Sequence, residues 1–168
     1  TKDKFDTKSV IKAIVAIFVI TVIMGTALGI VYNLTKGPIA DTKEQAKLDA
    51  YEAVYPSADK VVTNEEVDYS SINEVLHQIA SPDVDVDEFC IAVDASGKDI
   101  GYIVTVTNSK GYGGDIQFTM GLTNDGVLNG ISLLAIAETP GLGMKAEDVV
   151  VPQFVNKQVE SFSVTKTG

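Results

Sequence analysis

The chain has 168 residues, with 13 basic against 23 acidic side chains and a net charge of −10. That length allows one globular domain with an appendage. The acidity argues against a nucleic-acid partner. The single cysteine, Cys90, excludes an internal disulfide or a self-contained iron–sulfur cluster.

The first predicted element is apolar. From Ala13 to Tyr32 there are 20 residues without a charge. As a helix they span about 30 Å, the thickness of a bilayer's hydrocarbon core. A signal-peptide core is shorter, about 7–15 apolar residues, and ends in a small-x-small cleavage site. Gly25-Thr26-Ala27-Leu28-Gly29 is a poor one, and the run lacks the polar face of a core helix. The expectation is a tail at 1–12 and a transmembrane helix at 13–34. Lys2, Lys4, Lys8 and Lys12 precede the span, while Lys36, Lys43 and Lys47 follow it. The positive-inside bias then places the N-terminus in the cytoplasm and the rest outside. Residues 1–12 carry net +2 and residues 36–168 net −12, which on its own reads as a solvated surface. An uncharged single span offers no ion path.

A juxtamembrane helix is predicted at 35–56. Pro38 suits its first turn and Pro56 stops it. Residues 57–168 form the predicted extracytoplasmic domain. Its first part, Ser57 to Glu88, is polar, with a short strand at Lys60–Thr63 and a short helix at Ile72–Ala80. His77 has no second His or Cys nearby, so no zinc site and no nucleophile–base set is predicted. Stronger signals follow. Phe89–Ala95 and Asp99–Asn108 are apolar, β-branched runs around Ser96-Gly97-Lys98, a hairpin pattern. Asp115–Thr123 and Val127–Ala137 flank Asn124-Asp125-Gly126, a turn signal. These four strands predict an antiparallel meander. Cys90, inside the first, reads as a buried inert thiol, with ligation shared with a partner left open. Lys145–Gln158 is partly helical with Pro152 as interruption, and Val159–Lys166 reads as a final strand. The fold class is α+β.

Two glycine-rich loops carry the candidate chemistry, Lys110-Gly111-Tyr112-Gly113-Gly114 and Glu138-Thr139-Pro140-Gly141-Leu142-Gly143-Met144-Lys145. In a meander both project from the same end of the sheet. Exposed N–H groups suit a phosphate or a ring carbonyl. Tyr112 offers a flat face and a hydroxyl, Leu142 and Met144 apolar contact, and Lys145 a positive charge. The residues alone also allow two ordinary tight turns.

Gly111-Tyr112-Gly113-Gly114-Asp115-Ile116, Asn124-Asp125-Gly126 with Ile131, Glu138–Gly143 followed by Lys145, and Gln153-Phe154 together resemble the FMN-binding domain family. That family includes the G subunit of the Rnf complex and the C subunit of sodium-pumping NADH:quinone reductase. The resemblance covers most of residues 40–168, and the compact length is more similar to the Rnf G subunit. It implies a transmembrane helix followed by an FMN-binding domain with a mainly antiparallel sheet and flanking helices. It also implies an electron-relay flavoprotein subunit of a membrane-bound ferredoxin:NAD oxidoreductase, coupled to Na⁺ or H⁺ translocation. Such a subunit has no substrate-turnover site of its own. Its partners are the bilayer and other membrane subunits carrying flavin and iron–sulfur centres. The flavin would be lined by Tyr112 and Gly113 from one loop and Thr139, Gly141, Leu142, Gly143 and Lys145 from the other. The Thr139 hydroxyl and the backbone of Gly141 to Gly143 would donate to it, while Glu138 braces the loop. No metal is expected.

In that family FMN is held by a phosphoester to a threonine in a Ser/Thr-Gly-Ala-Thr motif. The motif is absent from these 168 residues. Phe162–Gly168 resemble the segment before it, so the covalent threonine is expected beyond Gly168, and the domain reads as incomplete at its C-terminus. Thr165 and Thr167 lack the family context. Two alternatives remain open: a stand-alone membrane-anchored flavodomain, and a non-redox accessory or sensor module.

Overall fold

The computed structural model describes residues 7–64 and 66–164. The chain divides between Gln45 and Ala46 into two compact units.

Helix α1, Thr7–Val54, is continuous through Pro38, which sits inside it rather than at the start of a second helix. A proline forfeits one backbone hydrogen bond. Beyond it, Ile39–Val54 is rich in Ala, Lys, Glu, Gln and Leu, strong helix formers that resume the ladder. In the first unit the apolar side chains stay exposed, Ile14 at 60% and Phe18 at 67%. Thr21 donates to the Ile17 carbonyl and Thr26 to the Val22 carbonyl, each at 2.8 Å. Asn33 and Thr35 likewise donate to Gly29 and Val31. Polar groups that bond to their own helix can sit in lipid without orphaned donors.

The second unit is built on a five-stranded antiparallel meander in the order β1-β2-β3-β4-β5. The strands are β1 Lys60–Thr63, β2 Val84–Val93, β3 Asp99–Asn108, β4 Ile116–Thr123 and β5 Leu128–Ile136. The core lies where the last turns of α1 meet one sheet face. Tyr51, Val54 and Tyr55 bury there against Cys90, Ala92 and Ile103. Ala50, Tyr51, Val54 and Tyr55 repeat at helical spacing, which gives one apolar stripe. The approach is close: a Cβ on Gly121 would lie 2.4 Å from the Val54 carbonyl oxygen.

Helix α2, Tyr69–Ile79, starts earlier than predicted because Asp68 caps it, accepting from the Ser70 and Ser71 N–H groups. It guards the part of β2 that the four-residue β1 leaves unpaired. The Val86 N–H donates to Asn73 Oδ1 at 2.8 Å, and Asn73 Nδ2 donates to the Val86 carbonyl at 3.2 Å. The Phe89 N–H donates to the Tyr69 hydroxyl. With Val86 and Phe89 satisfied in this way, that stretch of β2 is less open to pairing with another strand.

After β5 the chain forms a 3₁₀ turn, Gly143–Lys145, a single helical turn α3, Ala146–Val149, and a second 3₁₀ turn, Val151–Phe154. No strand forms at 159–164, and the rest of the predicted Val159–Lys166 strand lies outside the described residues. Lys157 already occupies the edge of β5, exchanging backbone bonds with Leu128 at 2.8 and 2.9 Å. Phe162 instead packs on Phe154, ring centroids 4.9 Å apart.

Candidate functional site

Register decides which loops meet. Asn108 pairs with Ile116, and Ile116 with Ile136. The β3–β4 connection and the segment after β5 therefore leave the sheet at one end. Glu138 joins them: the Gly113 N–H donates to its Oε1 at 3.3 Å. The loops approach so closely that a Cβ on Gly113 would lie 1.9 Å from the Ala137 carbonyl oxygen.

The Thr139–Lys145 turn closes on itself. The Leu142 and Met144 N–H groups donate to the Thr139 carbonyl at 3.1 and 3.3 Å, and the Lys145 N–H to the Leu142 carbonyl at 3.1 Å. Leu142 therefore has no N–H to offer a ligand, contrary to the sequence expectation. The Gly141 and Gly143 N–H groups have no partner among the described residues. Gly141 holds φ +77° with open space around it. Gly143 is hemmed in, since its Cβ would lie 2.5 Å from the Glu138 Cβ. Tyr112 is 92% exposed and Leu142 77%, and Thr139 and Lys145 are exposed as well. All seven expected residues thus fall in one region, and Glu138 is the side chain that ties its halves together.

A second polar cluster lies toward the core. Lys47 Nζ and the Tyr51 hydroxyl donate to the two Glu88 carboxylate oxygens at 2.8 and 2.6 Å. Burial opposes the Glu88 charge, but Lys47 and Tyr51 outweigh it and hold the carboxyl below its usual range. Cys90 sits beside them, 1% exposed, its Sγ 3.6 Å from Thr63 Oγ1. Burial pushes its thiol up, the state of an inert cysteine. Glu88 pairs with Thr105, three residues before the loop end of β3, so about 10 Å of strand separates this cluster from the loops. Its role is to fasten the end of α1 to the sheet. Lys47 and Tyr51 are four residues apart on one helix face, which was legible, but the strand partner was not. His77, read from sequence as unsupported, meets Asp85 at 3.0 Å.

Residues 111–166 match the FMN-binding domain family, beginning at the first glycine of the first loop and including the whole of the second. The chain is 31% identical over 173 residues to the G subunit of the Na⁺-translocating ferredoxin:NAD⁺ oxidoreductase complex of Acetobacterium woodii, covering 100% of this chain and 81% of that protein. The chain belongs to this G-subunit family. A second relative, the G subunit of the ion-translocating oxidoreductase complex of Methanosarcina acetivorans, is 29% identical over 97% of this chain and 82% of its own length. A third, the G subunit of the proton-translocating ferredoxin:NAD⁺ oxidoreductase complex of Clostridium ljungdahlii, is 28% identical over 86% of this chain and 67% of its own length. As a member of that family with one helix long and apolar enough to cross a bilayer, the chain is a membrane protein.

The residues present suit FMN. Two unpartnered N–H groups, a hydroxyl at Thr139 and the Lys145 cation match phosphate and carbonyl acceptors. Exposed Tyr112, Leu142 and Met144 match a flat ring.

Proposed function

We propose that this chain is the flavin-carrying electron relay of an ion-translocating ferredoxin:NAD⁺ oxidoreductase complex, with FMN held where the Gly111–Gly114 and Thr139–Lys145 loops meet. Bound FMN supplies a centre that takes up and passes on electrons, and the protein supplies position and shielding. Tyr112 and Leu142 cover the ring faces, with Met144 beside them. The Gly141 and Gly143 N–H groups and the Thr139 hydroxyl donate to ring or phosphate acceptors, Gly113 lets the first loop pass close by, and Lys145 offsets phosphate charge. The N-terminus lies in the cytoplasm and the domain outside it, in contact with neighbouring membrane subunits that hold flavin and iron–sulfur centres. There a tethered cofactor escapes dilution, so the finer proposal is a phosphoester to a threonine. That proposal assigns the threonine to no position in residues 1–168. The ion stays unassigned, because the named relatives divide between Na⁺ and protons.

The observation that carries the reading is the convergence of both glycine loops, at one end of the sheet, within the span that matches the FMN-binding domain. The test is ultraviolet fluorescence of the native protein, before and after a denaturing gel. Flavin emission that stays with the polypeptide supports the full reading. Emission before denaturation alone would remove the covalent bond, and none in either state would remove the flavin.

A further inference from the structure

We infer that Glu138 is a positioning residue that clasps the two glycine loops into one rigid flavin cradle, and that Gly143 is a glycine chiefly to make room for that clasp. This rests on the flavin reading above and deepens it. One Glu138 oxygen, Oε1, accepts the Gly113 N–H at 3.3 Å and lies 3.1 Å from where a Gly111 Cβ would stand. On its other side a Gly143 Cβ would stand 2.5 Å from the Glu138 Cβ, 3.0 Å from its Cγ and 3.2 Å from its Oε2. Gly113 has no space for a side chain against the strand end at Ala137. Gly143 thus packs on the Glu138 stem, while a Cβ on Gly111 would first meet the Gly114 carbonyl oxygen at 2.0 Å and Ile116 Cγ1 at 2.9 Å. These glycines do not face open space, as Gly141 does.

A hydrogen bond to a charged acceptor ties down a donor that a glycine-rich loop otherwise leaves mobile. Without it the first loop, which carries Tyr112, is free to move relative to the second, which carries Thr139, Leu142 and Lys145. Misplacement on the scale of an ångström is enough to spoil a ligand site. Gln keeps a carbonyl oxygen at the same reach, and Ala keeps neither oxygen nor stem.

The experiment uses the native protein and its Glu138→Ala, Glu138→Gln, Glu138→Gly, Gly143→Ala and Glu138→Gly/Gly143→Ala variants. The first readout needs no flavin: amide hydrogen exchange at Gly113. Exchange should speed up by about tenfold in Glu138→Ala and by less than about threefold in Glu138→Gln. Gly143→Ala, which displaces the Glu138 stem, should speed Gly113 exchange too. Adding it to Glu138→Gly should change nothing further, the non-additivity of two residues in contact. The second readout is the visible absorption and midpoint potential of bound flavin, shifted in Glu138→Ala and held in Glu138→Gln. Unchanged Gly113 exchange in Glu138→Ala overturns the clasp. Faster exchange with an unaltered flavin spectrum and potential overturns the positioning role. A wild-type protein that carries no flavin overturns the flavin reading and the positioning role with it, while the exchange data still report on the clasp.

Discussion

Gly121 and Gly130 face each other across the β4–β5 ladder, and alanine at each should have opposite consequences. At Gly121 the new methyl would stand 2.4 Å from the Val54 carbonyl oxygen, 3.0 Å from its carbon and 3.1 Å from the Val54 Cβ. Ordinary contact begins near 3.4 Å, so the end of α1 must retreat by 1.0 Å to clear that oxygen. That retreat loosens Val54 at 1% exposure and Tyr51 at 6%, the residues that fill the core. Overpacking of this kind costs about 1–3 kcal/mol, which for a unit of this size lowers Tm by roughly 4–12 °C. At Gly130 the methyl meets only Val155 Cγ2, at 3.9 Å. Gly130→Ala should therefore be neutral or slightly stabilising, by up to about 1 kcal/mol, since glycine inside a strand is itself unfavourable. The assay is thermal unfolding of the detergent-solubilised protein, followed by near-ultraviolet circular dichroism of the tyrosines. If Gly121→Ala melts with Gly130→Ala, the α1 end does not dock on the sheet as described.

Glu88, held below its usual range by Lys47 and Tyr51 against the cost of burial, contributes stability that is present above the unfolded carboxylate range. That stability should be lost as pH falls through the depressed folded value, below about pH 4.3. Glu88→Gln should flatten this acid limb in denaturant titrations at several pH values, and an unchanged limb would contradict the assignment. Asn73→Ala strips the partners from the Val86 N–H and C=O on the β2 edge. It should cost about 1–2 kcal/mol and raise light scattering. Tyr112→Ala and Leu142→Ala, both at exposed positions, should leave stability within about 0.5 kcal/mol while shifting the visible spectrum of bound flavin. Ser96→Cys, in the exposed β2–β3 turn, should react in intact cells with a membrane-impermeant maleimide, whereas wild-type Cys90, at 1% exposure, should not. Labelling only after lysis would reverse the topology.

The strands were legible because their side chains repeat with the sheet's period and their turns carry their own chemistry. Asp99–Asn108 was read to the residue, and Ile116–Thr123 and Leu128–Ile136 to within one at each end. Other features depend on distant partners. Val84–Glu88 extends β2 through an acidic stretch because α2 supplies Asn73 and Tyr69 to its edge. The final strand failed because Lys157 had already taken the β5 edge at Leu128. Pro38 signalled a helix start, yet the strong helix formers after it carry α1 through. At the site, both glycine loops could be read from composition and turn geometry. The reason for Gly113 and Gly143 could not, because they accommodate the strand end at Ala137 and the Glu138 stem, and the Gly113 contact is made only once the sheet has brought the loops together. The Glu88 cluster was hidden for the same reason, since Lys47 and its partner are 41 positions apart in the chain.

The central claim is that electrons pass through a flavin on this chain. Its most direct test is time-resolved absorption of the native complex in vesicles during ferredoxin-driven NAD⁺ reduction, with this chain's flavin identified by its shifted spectrum in a Tyr112→Ala/Leu142→Ala variant. This flavin should be reduced and reoxidised at the rate of NADH formation, and the variant should slow both together. NADH formation at full rate while this flavin stays oxidised would contradict it.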